Sequence, residues 1–163
     1  MLAEELVAGI GEIVFSGSDR QILSTYALGS CVAVVIHHPL EKKAALAHIA
    51  LSDSRINPEK AKNYPGYFAD IAIPNMIDGL KKMKCPITKD LNIKIIGGAM
   101  LIQNKDFFAI GSRNVEAARK FLKTYGLNSF VEDVGNTISR TVRIDTVTGI
   151  VTVSNAKIGK WTI

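Results

Sequence analysis

The fold is decided by two apolar stretches, SCVAVVIH at residues 30–37 and AALAHIAL at residues 44–51. Each is far shorter than the roughly 18 residues that a membrane helix requires. Consecutive apolar positions over this length are typical of a central strand that is buried on both faces. The connection at residues 39–43 is short enough for a hairpin. The sequence therefore predicts an antiparallel pair, with its turn near Leu40 and with Cys31 opposite about position 49.

Further strands are predicted on both sides of this hairpin, because short β-rich segments alternate there with turn residues. They lie at residues 11–16, 21–27, 92–96, 129–134, 140–145 and 150–154, with residues 106–110 as a further candidate. Helical spacing of apolar residues predicts one helix over residues 67–84, kinked or opened by Pro74. A second helix is predicted to be capped by Ser112 or Asn114 and to end at Gly126.

These elements predict the fold class and the domain organisation. About eight short strands and two helices that do not alternate indicate an α+β fold and exclude a doubly wound sheet. The chain has 163 residues, which is the length of one ordinary domain, so residues 1–163 are predicted to form a single domain.

Charge and composition bear on the class of partner. Twenty Lys and Arg residues against fifteen Asp and Glu residues give a net charge of +5. We expect no nucleic-acid partner, because the densest basic cluster falls at a predicted helix end and has no interleaved aromatic residues; it comprises Lys81, Lys82, Lys84 and Lys89. The first residues are acidic where a secretion signal is basic, which predicts a cytoplasmic protein without membrane insertion.

Cys31 is a candidate nucleophile. It follows Gly29 and Ser30 and begins an apolar strand, so a turn of small residues would leave its sulfur and the neighbouring backbone amides accessible. A buried structural cysteine is the alternative interpretation. In a chain without an export signal, both Cys31 and Cys85 are expected to be reduced thiols, and Cys85 is interpreted as a bystander.

His48 favours the catalytic interpretation of Cys31. It is the polar residue of an otherwise apolar stretch, so it requires a partner. The predicted hairpin brings His48 close to Cys31 across the strand pair, within reach of a hydrogen bond. His37 and His38, beside the turn at Pro39, are interpreted as solvated.

A third group should hold the imidazole in one tautomer, and the spacing leaves Thr25, Ser24 and Asp53 as candidates. A zinc site built from Cys31, His48 and Cys85 is the metal alternative, but no spacing typical of a zinc motif supports it. The glycine-rich segments match neither a P-loop nor a dinucleotide-binding motif. We therefore expect no metal and no cofactor.

The residues around Cys31 and His48 resemble the chemoreceptor glutamine deamidase CheD family of bacteria and archaea. The matching blocks, in the order of that family, are LGSCV at 28–32, AHIALSDS at 47–54, YFADIAIP at 67–74, KIIGGAM at 94–100, IGSRNV at 110–115, EDVG at 132–135 and the segment 148–153. One position departs from the pattern, because Asn136 stands where a second glycine usually follows Gly135. Asparagine tolerates a left-handed backbone, so a changed loop is expected there and not a loss of catalysis.

The resemblance implies that Cys31 is the nucleophile, His48 the base and Thr25 the third member. It also implies an α+β β-sandwich with two or three flanking helices, similar to the catalytic domain of cytotoxic necrotizing factor toxins. The implied reaction converts glutamine side chains of methyl-accepting chemotaxis receptors to glutamate through a thioester. The implied partners are those receptors and a CheC-type phosphatase. The alternative functions are a regulatory binding partner of that phosphatase with weak catalysis and a cysteine hydrolase of small amides.

Overall fold

The two apolar stretches form adjacent strands at the centre of one of two five-stranded sheets. The computed structural model describes residues 3–17, 20–101 and 109–163. Within these ranges the strands are β1 Glu4–Val7, β2 Ile13–Ser16, β3 Gln21–Leu28, β4 Val32–His38, β5 Lys43–Ile49, β6 Asn92–Gly97, β7 Val131–Val134, β8 Arg140–Asp145, β9 Val151–Asn155 and β10 Gly159–Thr162. The α-helices are α1 Pro58–Asn63, α2 Ala69–Lys82 and α3 Ile110–Thr124, and a 3₁₀ turn covers Ser54–Ile56.

Both sheets mix parallel and antiparallel pairs. Sheet A has the strand order β1-β3-β8-β9-β10, and sheet B has the order β2-β5-β4-β6-β7. The predicted antiparallel pairing of β4 with β5 is confirmed, with Val32 opposite Ile49 and His38 opposite Lys43. The turn is therefore centred between Leu40 and Glu41, half a residue beyond the predicted centre.

The molecule has three layers, because β4 and β5 are buried on both faces. Alternate residues of these strands, including Ala33 and Leu46, pack against sheet A in one apolar cluster. The residues between them, including Val34 and Ala47, pack against α2 and α3 in a second cluster. This arrangement accounts for the uninterrupted apolar sequence of both strands. The predicted α+β class is confirmed.

The structure corrects the number and the ends of several predicted elements. The described residues contain ten strands instead of eight, and the two that the sequence did not predict, β1 and β10, are short strands at the edges of sheet A. Edge strands are often short and charged, so they carry little alternation of apolar and polar residues. A strand predicted at residues 106–110 falls partly outside the described residues, and its last residue begins α3.

Both helix starts also differ from the prediction. Helix α3 begins at Ile110 after Ala109, so Ser112 and Asn114 lie inside it and do not cap it. Helix α2 begins at Ala69 and contains Pro74, so the proline does not open the helix. The predicted stop at Gly126 is confirmed by its left-handed backbone, with φ of 73°.

The link from β3 to β4 brings two candidate site residues to one end of the molecule. β3 belongs to sheet A and β4 to sheet B, so the chain crosses between the sheets through residues 29–31. The pairing of β3 with β8 shifts register between Thr25 and Leu28, and Ala27 has a positive φ of 54°. Such an irregularity turns a strand sharply. Thr25 and Cys31 therefore lie on either side of the crossing.

His37 and His38 are both buried, which overturns their interpretation as solvated residues. The exposed fraction of His37 is 1%, that of His38 is 6%, and the His37 Nε2–H donates to the Thr146 carbonyl at 2.9 Å. The His37 Nδ1 atom is buried and has no hydrogen-bond partner in the described residues. Burial lowers the pKa of His37 below its ordinary value of 6.5, although the bond to Thr146 opposes the decrease.

We expect the free energy of unfolding to decrease as the pH falls below about 6.5. The unfolded chain takes up a proton on each histidine there, whereas the folded chain resists protonation of His37 and of His48, whose pKa is also lowered. Urea unfolding between about pH 8 and pH 5 measures this effect. The variant His37→Gln retains a donor for the Thr146 carbonyl and cannot titrate, so it should show a smaller decrease. Equal pH dependence of the two proteins would contradict the assignment.

Candidate active site

Cys31 lies at the mouth of the crossing between the two sheets, half-buried against the cluster that they enclose. Its carbonyl accepts a hydrogen bond from the Gly98 N–H at 2.8 Å, and the Gly29 carbonyl accepts one from the Ala99 N–H at 2.8 Å. A Cβ atom on Gly97, which has φ of +110°, would collide with the Cys31 carbonyl oxygen. Glycine at this position therefore lets β6 approach the Cys31 backbone closely.

His48 lies on the same face of sheet B as Cys31. Ala33 is directly opposite His48 in the β4–β5 pair, and directly opposite residues point to the same face. Cys31 is two residues before Ala33, so it also points to the side that faces sheet A. Cys31 and His48 are thus diagonal neighbours, a relation in which Cα atoms are about 7–8 Å apart and side chains can meet. The predicted register, with Cys31 opposite about position 49, was wrong by one residue.

Thr25 contacts His48 from the opposite sheet. The Thr25 Oγ1 atom lies 2.7 Å from His48 Nδ1 and 2.7 Å from the Ala8 carbonyl oxygen. A carbonyl only accepts, so the single hydroxyl hydrogen of Thr25 is directed to Ala8, and Nδ1–H of His48 donates to Thr25. This leaves Nε2 of His48 as the unprotonated nitrogen. That atom is buried and has no hydrogen-bond partner in the ranges that the structure describes.

Burial favours the neutral forms of both the thiol and the imidazole. It raises the pKa of the Cys31 thiol above the ordinary value, and hydrogen bonding by the Cys31 backbone N–H offsets part of the increase. It lowers the pKa of His48, and the nearby Ala8 carbonyl opposes the decrease. The site therefore holds a neutral imidazole that can accept a proton and, on the same face of the sheet, a thiol that can donate one. In the described residues no hydrogen bond joins His48 Nε2 to the Cys31 sulfur, so the predicted hydrogen bond is not formed in this structure.

The other candidates for the third group point elsewhere. The Ser24 hydroxyl donates to Glu5 at 2.7 Å, and the Asp53 carboxylate accepts from the Arg55 backbone N–H at 2.9 Å and from its guanidinium. These bonds to Arg55 hold the pKa of Asp53 at about 2. Of Thr25, Ser24 and Asp53, only Thr25 meets the imidazole.

The zinc alternative is not supported by the geometry. Cys85 is 3% exposed and packs in the helix-side cluster, across sheet B from the face that carries Cys31 and His48. In residues 3–17, 20–101 and 109–163, no three His, Cys, Asp or Glu side chains are grouped so that they could hold a metal ion.

Two contacts of the site were not predicted. The Ala8 carbonyl is a backbone group at the end of an unpredicted edge strand, and no sequence pattern marks it. Asn114 was identified only as a possible helix cap, yet its buried side chain contacts the backbone beside Cys31. A polar side chain within the apolar stripe of α3 was the available signal. At the departure from the family pattern, Asn136 has φ of 58°, a left-handed conformation that asparagine tolerates better than most residues.

A comparison of folds finds a distant structural relative. The structure of the Bacillus licheniformis hypothetical protein YfiH matches with a TM-score of 0.52 and 11% identity, over 77% of this chain. The matched part is about half of that protein, 51% of its chain. This likeness concerns the fold alone. None of the described helices is long and apolar enough to cross a membrane.

Sequence comparisons find much closer relatives. The probable chemoreceptor glutamine deamidase CheD of Syntrophotalea carbinolica is 40% identical over 160 residues, which is 98% of this chain and 99% of that protein. The chemoreceptor glutamine deamidase CheD of Thermotoga maritima is 39% identical over 143 residues, 88% of this chain and 87% of that protein. A family model described as CheD chemotactic sensory transduction matches residues 50–155. The chain therefore belongs to the CheD family, whose named members are chemoreceptor glutamine deamidases.

Proposed function

We propose that this protein converts specific glutamine side chains of methyl-accepting chemotaxis receptors to glutamate by nucleophilic catalysis. Membership of the CheD family and the names of its relatives support the reaction and the substrate. The observation that carries the mechanism is the hydrogen-bonded series from Ala8 through Thr25 to His48, which leaves Nε2 unprotonated on the face shared with Cys31. The proposal takes residues 1–163 as one catalytic domain.

The first half of the reaction forms a thioester and releases ammonia. Nε2 of His48 takes the proton of the Cys31 thiol as the sulfur bonds to the glutamine Cδ atom, and the carbonyl oxygen becomes an oxyanion. When the oxyanion collapses, the C–N bond breaks, and the imidazolium returns its proton to the leaving nitrogen. Since burial raises the pKa of Cys31 and lowers that of His48, the proton transfer accompanies attack on bound substrate.

The second half hydrolyses the thioester. Neutral His48 takes a proton from a water molecule, whose oxygen bonds to the acyl carbon and forms a second oxyanion. The C–S bond then breaks, the sulfur regains its proton from His48, and a glutamate side chain leaves. Thr25 keeps Nδ1 protonated throughout, so that Nε2 is the nitrogen that exchanges protons.

The proposed partners follow from the family. The substrate is the helical cytoplasmic region of the receptors, and a CheC-type phosphatase is a proposed binding partner. Family membership and the resemblance at Cys31, His48 and Thr25 support both. A protein that acted mainly as a regulatory partner of the phosphatase would bind its partners but leave the receptor glutamines unmodified. The next experiment distinguishes this role from catalysis.

The decisive experiment incubates the purified chain with a receptor cytoplasmic fragment and measures released ammonia and peptide masses. We expect peptides that contain defined glutamines to show the mass increase that accompanies conversion of an amide to an acid. Free glutamine, tested at equal concentration, should be hydrolysed far more slowly. An unmodified receptor fragment that still binds the protein would contradict the proposal and favour the regulatory role. Equal turnover of free glutamine would favour a hydrolase of small amides.

The role of Thr25 predicts that Thr25→Val lowers kcat by about 10- to 100-fold, the usual effect of removing a group that orients a functional imidazole. Valine has nearly the same shape as threonine and lacks the hydroxyl that accepts from Nδ1 of His48. The matched control, Thr25→Ser, retains the hydroxyl and should keep most of the activity. Steady-state deamidation of the receptor fragment measures both variants. An equal decrease of kcat in Thr25→Val and Thr25→Ser would contradict this role, because it would show that the hydroxyl is not the group on which activity depends.

A further inference from the structure

Asn114 makes contacts that the mechanism above does not use. Its side chain extends from α3 into the protein, is 1% exposed, and donates from Nδ2 to two backbone carbonyls. One acceptor is the Ser30 carbonyl at 3.0 Å, and the other is the Ala50 carbonyl at 2.9 Å. Oδ1 of the same amide is buried without a partner in the described ranges. A buried polar group without a partner is costly, which favours a functional role for this side chain.

The orientation of this amide is determined by its partners. Both acceptors are carbonyl oxygens, which cannot donate, so the nitrogen and not the oxygen must face them. The two hydrogens of Nδ2 are then both used. Asn114 therefore holds the residue before Cys31 and a residue two positions after His48 with one rigid group.

The bond to Ser30 fixes the direction of the Cys31 backbone N–H. The Ser30 C=O and the Cys31 N–H belong to one planar trans peptide group, in which they point in opposite directions. Because Asn114 holds the carbonyl on the helix side, the N–H points away from the helix. The Cys31 side chain packs on that same side, in the cluster between the two sheets, so the N–H and the thiol face the same side of the strand.

The direction of this N–H matches what an oxyanion site requires. A substrate carbonyl attacked by Cys31 places its oxygen beside the nucleophile, where a fixed backbone donor stabilises the developing charge. A hydrogen bond to the carbonyl of the same peptide group also polarises its N–H. A peptide plane in a turn of small residues, Gly29 and Ser30, has few side-chain contacts of its own to hold it.

We propose that Asn114 is a positioning residue that orients the Cys31 backbone N–H as the oxyanion donor of the deamidation reaction. The inference rests on the proposed function, since it requires Cys31 to attack an amide. Asn114 acts through the peptide group and does not touch the substrate.

The test compares Asn114→Leu with wild type in two reactions of Cys31. Deamidation of the receptor fragment builds an oxyanion, whereas alkylation by iodoacetamide, followed by peptide mass mapping, builds none. We expect kcat for deamidation to fall by about 10- to 100-fold, with KM changed less than about twofold. We expect the alkylation rate at high pH to be unchanged. The midpoint of its pH profile should shift upward, because the thiolate loses an oriented donor.

If Asn114 had a purely structural role, its replacement would change the pH profile of Cys31 alkylation in a different way. A loosened site would admit water to Cys31, remove the effect of burial, and shift the alkylation midpoint downward. Asn114→Asp, with the same size and shape, replaces the leucine variant if that variant does not fold. The matched control is Asn75→Leu, because Asn75 lies on α2 and donates to the Pro65 carbonyl outside the site.

Either of two results overturns the inference: a kcat within twofold of wild type, or an alkylation midpoint that stays or moves downward. Failure of the proposed function has a separate signature, since a Cys31→Ala protein would then deamidate the receptor fragment as fast as wild type.

Discussion

Replacing Cys31 with alanine should lower receptor deamidation by roughly 10⁴-fold or more, as the loss of a nucleophile does in other covalent hydrolases. Without the sulfur no thioester forms, and His48 has no proton to take from the enzyme. The fold should be retained, because the substitution removes one atom at a half-buried position outside the strand ladder. Ammonia release and peptide masses measure the loss, and circular dichroism checks the fold.

The chain provides a matched control in its other cysteine. Cys85 is buried in the helix-side cluster, away from His48, so Cys85→Ala should retain activity within about twofold. It should lower stability more than Cys31→Ala does, since it leaves a small cavity in a packed core. Activity that persists in Cys31→Ala, or that is lost in Cys85→Ala instead, would contradict the assignment of the nucleophile.

The sequence predicted the central strand pair correctly, but its register was wrong by one residue, which shows how precisely turn composition can place residues across a hairpin. Turn composition places the hairpin centre only to within a residue. With Cys31 opposite position 49, His48 would point to the other face of the sheet, because directly opposite residues share a face. The observed pairing of Ala33 with His48 is what places Cys31 and His48 on one face.

The choice of Thr25 over Ser24 shows a second limit. Both are polar residues of β3, and spacing along one strand cannot say which faces the opposite sheet when a register shift follows. The resemblance selected Thr25, and the structure brings it to His48. Contacts that depend on backbone groups, such as the Ala8 carbonyl, or on distant elements, such as Asn114 with Ser30, leave no local pattern in a sequence. The burial of His37 was missed for the same reason, because the Thr146 carbonyl that accepts its hydrogen bond is far along the chain.

The ion pair between Arg140, which is fully buried, and Asp133 leads to the largest predicted change in stability. The Arg140 side chain is fully buried and contacts the Asp133 carboxylate at 3.0 Å, which joins β8 of sheet A to β7 of sheet B. The same carboxylate accepts from Nε1 of Trp161 at 2.6 Å, and Arg140 also donates to the Gly135 carbonyl at 2.9 Å. The Gly135 N–H in turn donates to the carbonyl of Gly97, next to the Cys31 backbone.

Asp133→Ala should therefore lower the free energy of unfolding by about 3–5 kcal/mol, because it leaves the Arg140 charge buried without its partner. Urea unfolding followed by circular dichroism measures this loss. The matched control is Glu132→Ala on the same strand, whose partner Arg119 is 30% exposed and can turn to water. The free energy of unfolding of Glu132→Ala should be lower than that of wild type by about 1 kcal/mol or less.

The double variant with Arg140→Met distinguishes the ion pair from general packing. Removing the buried charge as well should restore part of the stability lost in Asp133→Ala, since the unpaired guanidinium is the main cost. Deamidation should be no faster in the double variant than in Asp133→Ala, because replacing Arg140 also removes its hydrogen bond to the Gly135 carbonyl. Equal losses in Asp133→Ala and Glu132→Ala would mean that the two carboxylates are equally solvated. A double variant less stable than Asp133→Ala would mean that Arg140 stabilises the sheet junction without its partner.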